Sequence, residues 1–168
     1  MKNDIEIDYN SSVNLTTTQK RLIKDILLVF NKVMFKTITK KLQIKVNEIY
    51  ISISICGDTK IKSLNSKFRN INKITDVLSF PIQENLKNGV YDPTPAMELG
   101  DIYICKSVAL KQAKEASIHL RTELLHLMVH GFLHLCGYDH ELSDMDEKEM
   151  FDLEDQLVKN CLKELKVK

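Results

Sequence analysis

The chain has 168 residues, a formal net charge of +1 at pH 7, 43% hydrophobic residues and 28% charged residues. This length suits one domain that buries its own hydrophobic core, and the composition excludes a disordered or fibrous protein. The nearly neutral balance excludes a strong global field for nucleic acid or membranes, although a local basic patch would suffice for an RNA substrate.

Cysteine usage and the amino terminus indicate the cytoplasm. None of the four cysteines forms a C-x-x-C pair, and each lies in an apolar run or a helical pattern. This favours buried thiols in a reducing compartment over a disulfide framework. The first ten residues lack the apolar stretch of a signal peptide, and no uncharged run approaches the roughly 18 residues of a membrane span. We therefore expect a cytoplasmic protein without a membrane partner.

Alternation and helical spacing predict strands and helices along the chain. The alternating residues around Ile5 and Ile7, and the β-branched run 50–56, are typical of strands. Between them, Thr16 to Thr18 supply helix caps, and apolar residues recur at helical spacing up to Phe30. The predicted order begins with a strand near 5–7, a helix after Thr16, a strand over 50–56 and a helix over about 59–69. Strands over 77–80 and 101–105 follow, and then helices over about 106–116, 118–136 and 143–164.

The segment over about 83–98 is predicted to be a long loop, because it contains Gly89, Pro93 and Pro95. Loops of this length in compact domains are often functional or mobile. The mixed order of strands and helices predicts an α+β fold. We expect one domain over 1–168, in which a small mixed sheet of about four strands is packed with about five helices.

Three histidines carry the most specific chemical signal. His130 and His134 are four residues apart on a predicted helix, which places both imidazoles on one face, one turn apart. Gly137 can end that helix in the left-handed conformation, so that the chain turns back and His140 becomes a third ligand. Three protein ligands leave a fourth position for water, as in catalytic zinc sites. We therefore predict one Zn²⁺ per chain, on this helix and the turn after it.

The histidine spacing also matches the metzincin protease pattern H-E-x-x-H-x-x-G-x-x-H. The glutamate that serves those proteases as general base is Gly131 here, and glycine cannot accept a proton. A metalloprotease is therefore an alternative that requires a remote carboxylate. A non-enzymatic zinc-binding module is a second alternative, favoured if His126 closes the metal site, although packing or hydrogen bonding is the simpler interpretation of His126. A hydrolase of small phosphoesters is a third.

The sequence does not identify the general base. Asp76, Ser79 and Asp101 lie at the ends of predicted strands and could line the cleft, but such residues also cap turns or bond the backbone. Asp139 is adjacent to His140 and could instead orient a ligand histidine through a hydrogen bond.

The chain resembles the YbeY family of endoribonucleases in three blocks that occur in the family's order. These are HGFLHLCGYDH at 130–140, LGDIYIC at 99–105, and a block over 64–81 with Leu64-Asn65, Phe68-Arg69 and TDVLSFP at 75–81. Met150 and Glu154 also fall where the family's last helix has a methionine and an acid. The resemblance covers about 50–157, and this combination is more specific than the histidine spacing alone.

The resemblance implies helices around a small mixed sheet and a metal-dependent, single-strand-specific endoribonuclease that acts in 16S rRNA 3′-end maturation and ribosome quality control. It implies that His130, His134 and His140 are zinc ligands and that Arg69 contacts RNA phosphate in the cleft. The expected partners are single-stranded RNA, including rRNA, and the ribosome or ribosomal proteins; DNA is not expected.

The chemistry of zinc, the guanidinium of Arg69 and the distribution of charge all bear on this expectation. Zinc can lower the pKa of bound water to about 7 or polarise a phosphoryl oxygen, and attack by an internal 2′-hydroxyl is also open. The planar guanidinium of Arg69 matches a phosphate bidentately, although a charge run is also typical of a solvated helix face. Residues 139–155 hold nine acids and one lysine, so RNA is expected to approach from the side of Arg69. The neighbouring cations are Lys60, Lys62, Lys67 and Lys73.

Overall fold

The computed structural model describes residues 4–44, 46, 48–83, 86–91 and 96–166. Its elements follow the predicted order along the chain. They are β1 (Asp4–Ser11), α1 (Thr17–Lys41), β2 (Glu48–Cys56), α2 (Asp58–Arg69), β3 (Val77–Pro81), a 3₁₀ turn (Leu86–Asn88), β4 (Ala96–Cys105), α3 (Lys106–Glu115), α4 (Leu120–Leu135) and α5 (Asp144–Lys166).

The strands form one mixed sheet in the order β1-β2-β4-β3. β1, β2 and β4 are parallel, and β3 is antiparallel to β4. Within the described residues, four strands and five α-helices make up the fold, which confirms the predicted α+β architecture. β1 and β3 are therefore the two edges of the sheet.

The core lies between one face of the sheet and the helices α1, α4 and α5. β2 shows the underlying pattern, because its alternate residues Ile49, Ile51, Ile53 and Ile55 are all buried in this core. α4 is buried along most of its length and packs against α1, α3, α5 and the strands β3 and β4. A helix held on so many sides is a rigid support for side chains near its end.

The predicted loop over about 83–98 is wrong at its carboxyl end, because β4 begins at Ala96 and pairs with β2 from there. Residues 84, 85 and 92–95, including Pro93 and Pro95, lie outside the described residues. The strand continues through Gly100 at φ +130°, where a Cβ would collide with the carbonyl oxygen of Phe80. Glycine is thus required at position 100 inside the strand, at a register shift opposite Tyr50 and Ile51.

The four cysteines are buried and free, as the sequence predicts. Among the helices of the described ranges, none combines the length and apolar character needed to cross a membrane.

Candidate metal centre

The carboxyl-terminal half of α4 brings two of the predicted ligands together. His130 and His134 lie one helical turn apart, and their Nε2 atoms are 3.1 Å from each other. Two nitrogens bound tetrahedrally to one zinc ion at 2.0–2.1 Å would lie roughly 3.3 Å apart. The pair therefore already has nearly the separation that a shared metal ion requires.

The turn after α4 brings His140 to the same point. Gly137 adopts φ +85°, the left-handed conformation expected from the sequence, and a Cβ there would lie 3.2 Å from the backbone nitrogen of Lys87. Lys87 in turn donates to Asp146 on α5 at 2.9 Å. On its other side, the His140 ring stacks on Phe151, with ring centroids 5.4 Å apart. The 3₁₀ turn that contains Lys87 and the helix α5 therefore both hold the turn that carries His140.

The three histidines form a group that could hold one metal ion. One nitrogen from each of His130, His134 and His140 lies within 4.8 Å of the others. All three are partly buried, so each imidazole keeps an approach from solvent. Three neutral nitrogen donors suit zinc and leave a coordination position for water or substrate.

Glu154 on α5 orients this group from behind. It is buried, and one of its carboxylate oxygens accepts from Nδ1 of His130 at 2.8 Å. The other oxygen is 2.6 Å from Nε2 of His126. Burial raises the pKa of Glu154, but the hydrogen bonds from His126 and His130 outweigh it and lower the pKa to about 2. The ionised carboxylate thus fixes the His130 tautomer with Nε2 directed at the metal position.

Local electrostatics keep one ligand unprotonated. Burial, followed by the positive potential of His130 and His140, lowers the pKa of His134 to about 4. A neutral imidazole is the form that binds a metal ion. His126 differs, because its hydrogen bond to Glu154 is the main cause of its raised pKa. His126 is therefore a hydrogen-bonding neighbour of the site in this structure.

Gly131 shows why the protease base is absent at this position. A Cβ at Gly131 would lie 2.9 Å from Cγ2 of Ile102 on β4. The helix approaches the sheet so closely here that no side chain fits between them. A glutamate at position 131 would collide with the buried sheet. The close packing of α4 on β4 therefore explains the departure from the metzincin pattern.

Arg69, at the end of α2, reaches the turn that carries His140. Its Nη2 atom is 3.9 Å from an Oε1 atom of Glu141, the residue after His140. Both side chains are exposed, so this ion pair is weak and an incoming anion can replace it. The guanidinium therefore lies on the same side of the molecule as the His140 turn.

Two of the candidate bases, Asp76 and Asp139, already accept hydrogen bonds within the fold. Oδ1 of Asp76 accepts from the backbone N–H of Val77, and Oδ2 accepts from Gln112. Oδ1 of Asp139 accepts from the backbone N–H of Glu141, which is a turn-stabilising contact. Sequence reasoning missed Glu123, a buried acid on α4 that lies 3.9 Å from Nδ1 of His126. Glu123 lies three residues before His126 and seven before His130, so helical spacing could have placed it on the same face.

The profile of the family described as endoribonuclease YbeY matches residues 4–162. The chain belongs to this family. A relative named endoribonuclease YbeY from Sulfurihydrogenibium sp. is 41% identical over 75% of this chain and 80% of its own length. Another of the same name from Mycoplasma capricolum is 36% identical over 92% of this chain and 88% of its own length.

A solved structure supports the fold of this YbeY family member. The solution structure of a Thermotoga maritima protein superposes with a TM-score of 0.63 at 27% identity. The match covers 96% of this chain and 93% of that protein. The likeness therefore extends over β1 and α1 as well as the histidine region.

Proposed function

We propose that residues 1–168 form one metal-dependent hydrolase domain that is a zinc-dependent, single-strand-specific endoribonuclease of the cytoplasm. The observation that carries the proposal is the convergence of His130, His134 and His140 in a chain of the YbeY family. We assign its biological role to 16S rRNA 3′-end maturation and ribosome quality control. Its partners are then single-stranded RNA, including rRNA, and the ribosome or ribosomal proteins.

The residues divide the work of phosphodiester cleavage. His130, His134 and His140 would hold the zinc ion, which when bound supplies a Lewis acid and an acidified water. Glu154 keeps the His130 ring in the ligating tautomer. Arg69 binds a phosphate of the substrate, and its weak contact with Glu141 is released in exchange.

The surface near Arg69 suits an unpaired strand. Phe68 precedes it on α2 and is 55% exposed, with its ring 5.0 Å from that of Phe80. Nζ of Lys67 lies 4.9 Å from the centroid of the same ring. An exposed aromatic residue with neighbouring cations on one helix matches how proteins bind single strands, by base stacking and phosphate contact together. Lys87, beside Gly137, is ion-paired to two of the α5 acids, Asp146 and Glu149. Its ammonium group is therefore already engaged by carboxylates, whereas Arg69 has one weak ion pair to exchange for phosphate.

The protease alternative loses its main support. A metzincin base would have to occupy Gly131, where Ile102 leaves no room. Glu154, a buried carboxylate beside the ligands, is already bonded to His126 and His130. An RNA substrate needs no side chain at Gly131, since phosphoryl transfer depends mainly on positioning and charge stabilisation.

The test uses zinc-loaded protein with an unstructured RNA, the same RNA as a duplex, and an unfolded protein substrate. We expect cleavage of the single strand alone, its loss in His130→Ala, and its retention in His119→Ala, which removes an exposed histidine outside the site. Arg69→Ala should lower the rate roughly tenfold or more at low RNA concentration, and Arg69→Lys less, because a bidentate phosphate contact becomes a point charge. Cut protein with intact RNA would overturn the proposal.

A further inference from the structure

The open edge of the sheet lies beside a groove that the proposed nuclease site does not use. Among the residues that the structure describes, β1 pairs with β2 on one side and with no strand on the other. α1 runs antiparallel to β1, and the groove of about 710 Å³ between them is lined from the helix by Lys20, Lys24, Leu27, Leu28 and Asn31. These positions follow one another at helical spacing, so they form a single stripe that faces the strand edge.

One end of this groove is already closed by a side chain that imitates a strand. The Asn31 carboxamide accepts from the backbone N–H of Ile5 at 3.2 Å and donates to the backbone oxygen of Ile5 at 2.6 Å. A neighbouring strand would make the same pair of hydrogen bonds. Since backbone groups alternate in direction, those of Ile7 and Tyr9 also point away from β2. Within the described part of the chain, they have no hydrogen-bond partner on that side.

The groove wall is apolar at this open stretch. Ile7, Val13, Leu15, Leu27 and Leu28 contribute to its lining, and Leu28 is 54% exposed. Unpaired strand edges beside apolar surface promote strand addition unless they are blocked. Of the described side chains, Asn31 alone hydrogen-bonds to the outer backbone edge of β1, at the Ile5 end. The remaining length, from Ile7 to Ser11, suits an added strand of four to five residues.

The charged residues around the groove indicate which side chains a bound segment would need. The described residues that line the groove include Lys20 and Lys24, near the Ser11 end, and no acid. On the opposite face of β1, Glu6 and Asp8 are exposed. A segment that pairs with β1 therefore needs apolar side chains toward Leu27 and Leu28, an acid toward the two lysines, and basic or neutral side chains beside Glu6 and Asp8.

We propose that the β1–α1 groove binds an extended segment of another protein as a fifth strand of the sheet. A second copy of this chain fits less well. Antiparallel pairing of two β1 strands would place Glu6 and Asp8 of both copies on one face, where like charges repel. The partner segment carries the alternating pattern just described, and its binding needs neither the histidines nor Arg69.

The test uses the acetylated, amidated peptide Thr-Glu-Thr-Val-Lys-Val-Lys-Val with the whole chain. We expect saturable binding below about 1 mM, and slower amide hydrogen exchange at Ile7 and Tyr9. Lys24→Glu should weaken binding roughly fivefold or more, whereas Lys36→Glu, an exposed lysine of α1 outside the groove, should not. Leu28→Glu should also weaken it, at an exposed position where folding is not at stake.

Three outcomes would overturn the proposal. The first is no saturation by about 1 mM with unchanged exchange at Ile7 and Tyr9. The second is equal binding of a peptide with the same composition but without alternation, which would indicate charge attraction alone. The third is concentration-dependent dimerisation in sedimentation that Leu28→Glu abolishes, which would assign the groove to a second copy. Retained RNA cleavage in Lys24→Glu separates a failure here from a failure of the proposed nuclease function.

Discussion

At the scale of single residues, the Glu154 carboxylate fixes the orientation of one of the three candidate ligand histidines. Glu154 is 24 positions from His130 along the chain, yet it bonds both His130 and His126. A histidine free to rotate offers a metal either nitrogen in many orientations, and each orientation must be lost on binding. The contact with Glu154 removes this freedom before the metal arrives.

Replacing Glu154 by glutamine should therefore weaken zinc binding by roughly 10- to 100-fold. Glutamine is uncharged, so it raises the basicity of His130 less and holds its ring less firmly. Competition with a chromophoric chelator measures the affinity. Asp155→Asn, one position along the same helix and exposed, should leave it unchanged. Equal affinities for wild type and Glu154→Gln would show that His130 needs no orienting carboxylate.

The Asp76 carboxylate has a structural role in this fold, because it accepts hydrogen bonds from its neighbours. Burial raises its pKa, but hydrogen bonds from Gln112, the backbone N–H of Val77 and Thr75 together outweigh burial, so the pKa lies below its usual value. Its backbone oxygen also accepts from the N–H of Cys105 at 2.7 Å. Asp76 thus joins the start of β3 to the end of β4 and to α3. A carboxylate with a lowered pKa is a poor general base near neutral pH.

The stability supplied by Asp76 should depend on pH with a definite sign. Its folded-state pKa is lowered, so the contribution is complete above the unfolded value of about 3.9 and is lost as the pH falls through the folded value. Asp76→Ala should lower the free energy of unfolding by roughly 1.5–3 kcal/mol at pH 7. The deficit should shrink below about pH 4.

Urea unfolding of metal-free wild type and Asp76→Ala, at pH values from 7 down to 3, checks this expectation. Asp155→Ala removes an exposed carboxylate from α5 and reports the background of the method. A deficit that stays constant down to pH 3 would show that shape, and not the ionised carboxylate, is what Asp76 contributes.

At the scale of elements, the predictable features are those set by local spacing. The order of strands and helices, the Gly137 turn and the shared face of His130 and His134 all follow from residues within a few positions of each other. The early start of β4 was not predictable, since Gly89, Pro93 and Pro95 are typical of a loop. Pairing with β2 overrides that local signal. The hydrogen bond between Glu154 and His130 was not predictable either, because it depends on how α4 and α5 pack.

The contact between α4 and β4 gives the element-scale prediction. Gly131→Ala places a methyl group 2.9 Å from Cγ2 of Ile102, a β-branched side chain that is fully buried and has little freedom to move. Overpacking costs about 1–3 kcal/mol, and the better helix propensity of alanine returns up to about 1 kcal/mol. We expect a net loss of roughly 1 kcal/mol in the free energy of unfolding.

A double-mutant cycle with Ile102→Ala tests the cause of that loss. Removing the Ile102 side chain leaves space for the new methyl group, so Gly131→Ala should become neutral or stabilising in the Ile102→Ala background. Denaturant unfolding of the four proteins supplies the coupling energy. Strict additivity of the two substitutions would mean that the close approach of α4 to β4 does not limit position 131.

At the scale of the whole molecule, the three-histidine group links elements that are far apart in the chain. His130 and His134 belong to α4, whereas His140 lies on the turn toward α5 and stacks on Phe151 of that helix. Glu154 ties α5 to α4 through His130. α5 also packs against α1, so an ion at this point bears on contacts over most of the helical layer. An ion that binds only the folded chain must therefore stabilise the fold as a unit.

Zinc should raise the melting temperature by an amount that grows with the logarithm of the ratio of free zinc to its dissociation constant. At a free zinc concentration 100-fold above the dissociation constant, the gain is about 2.7 kcal/mol. For a chain of this size that corresponds to a rise of roughly 5–10 °C, which a chelator should reverse. Calorimetry of His140→Ala should show almost none of this rise, whereas His119→Ala should show all of it, since both variants lose one histidine and only one loses a ligand. If zinc raised the melting temperature of His140→Ala as far as that of wild type, the ion would be binding elsewhere, and the three-histidine site would have to be abandoned.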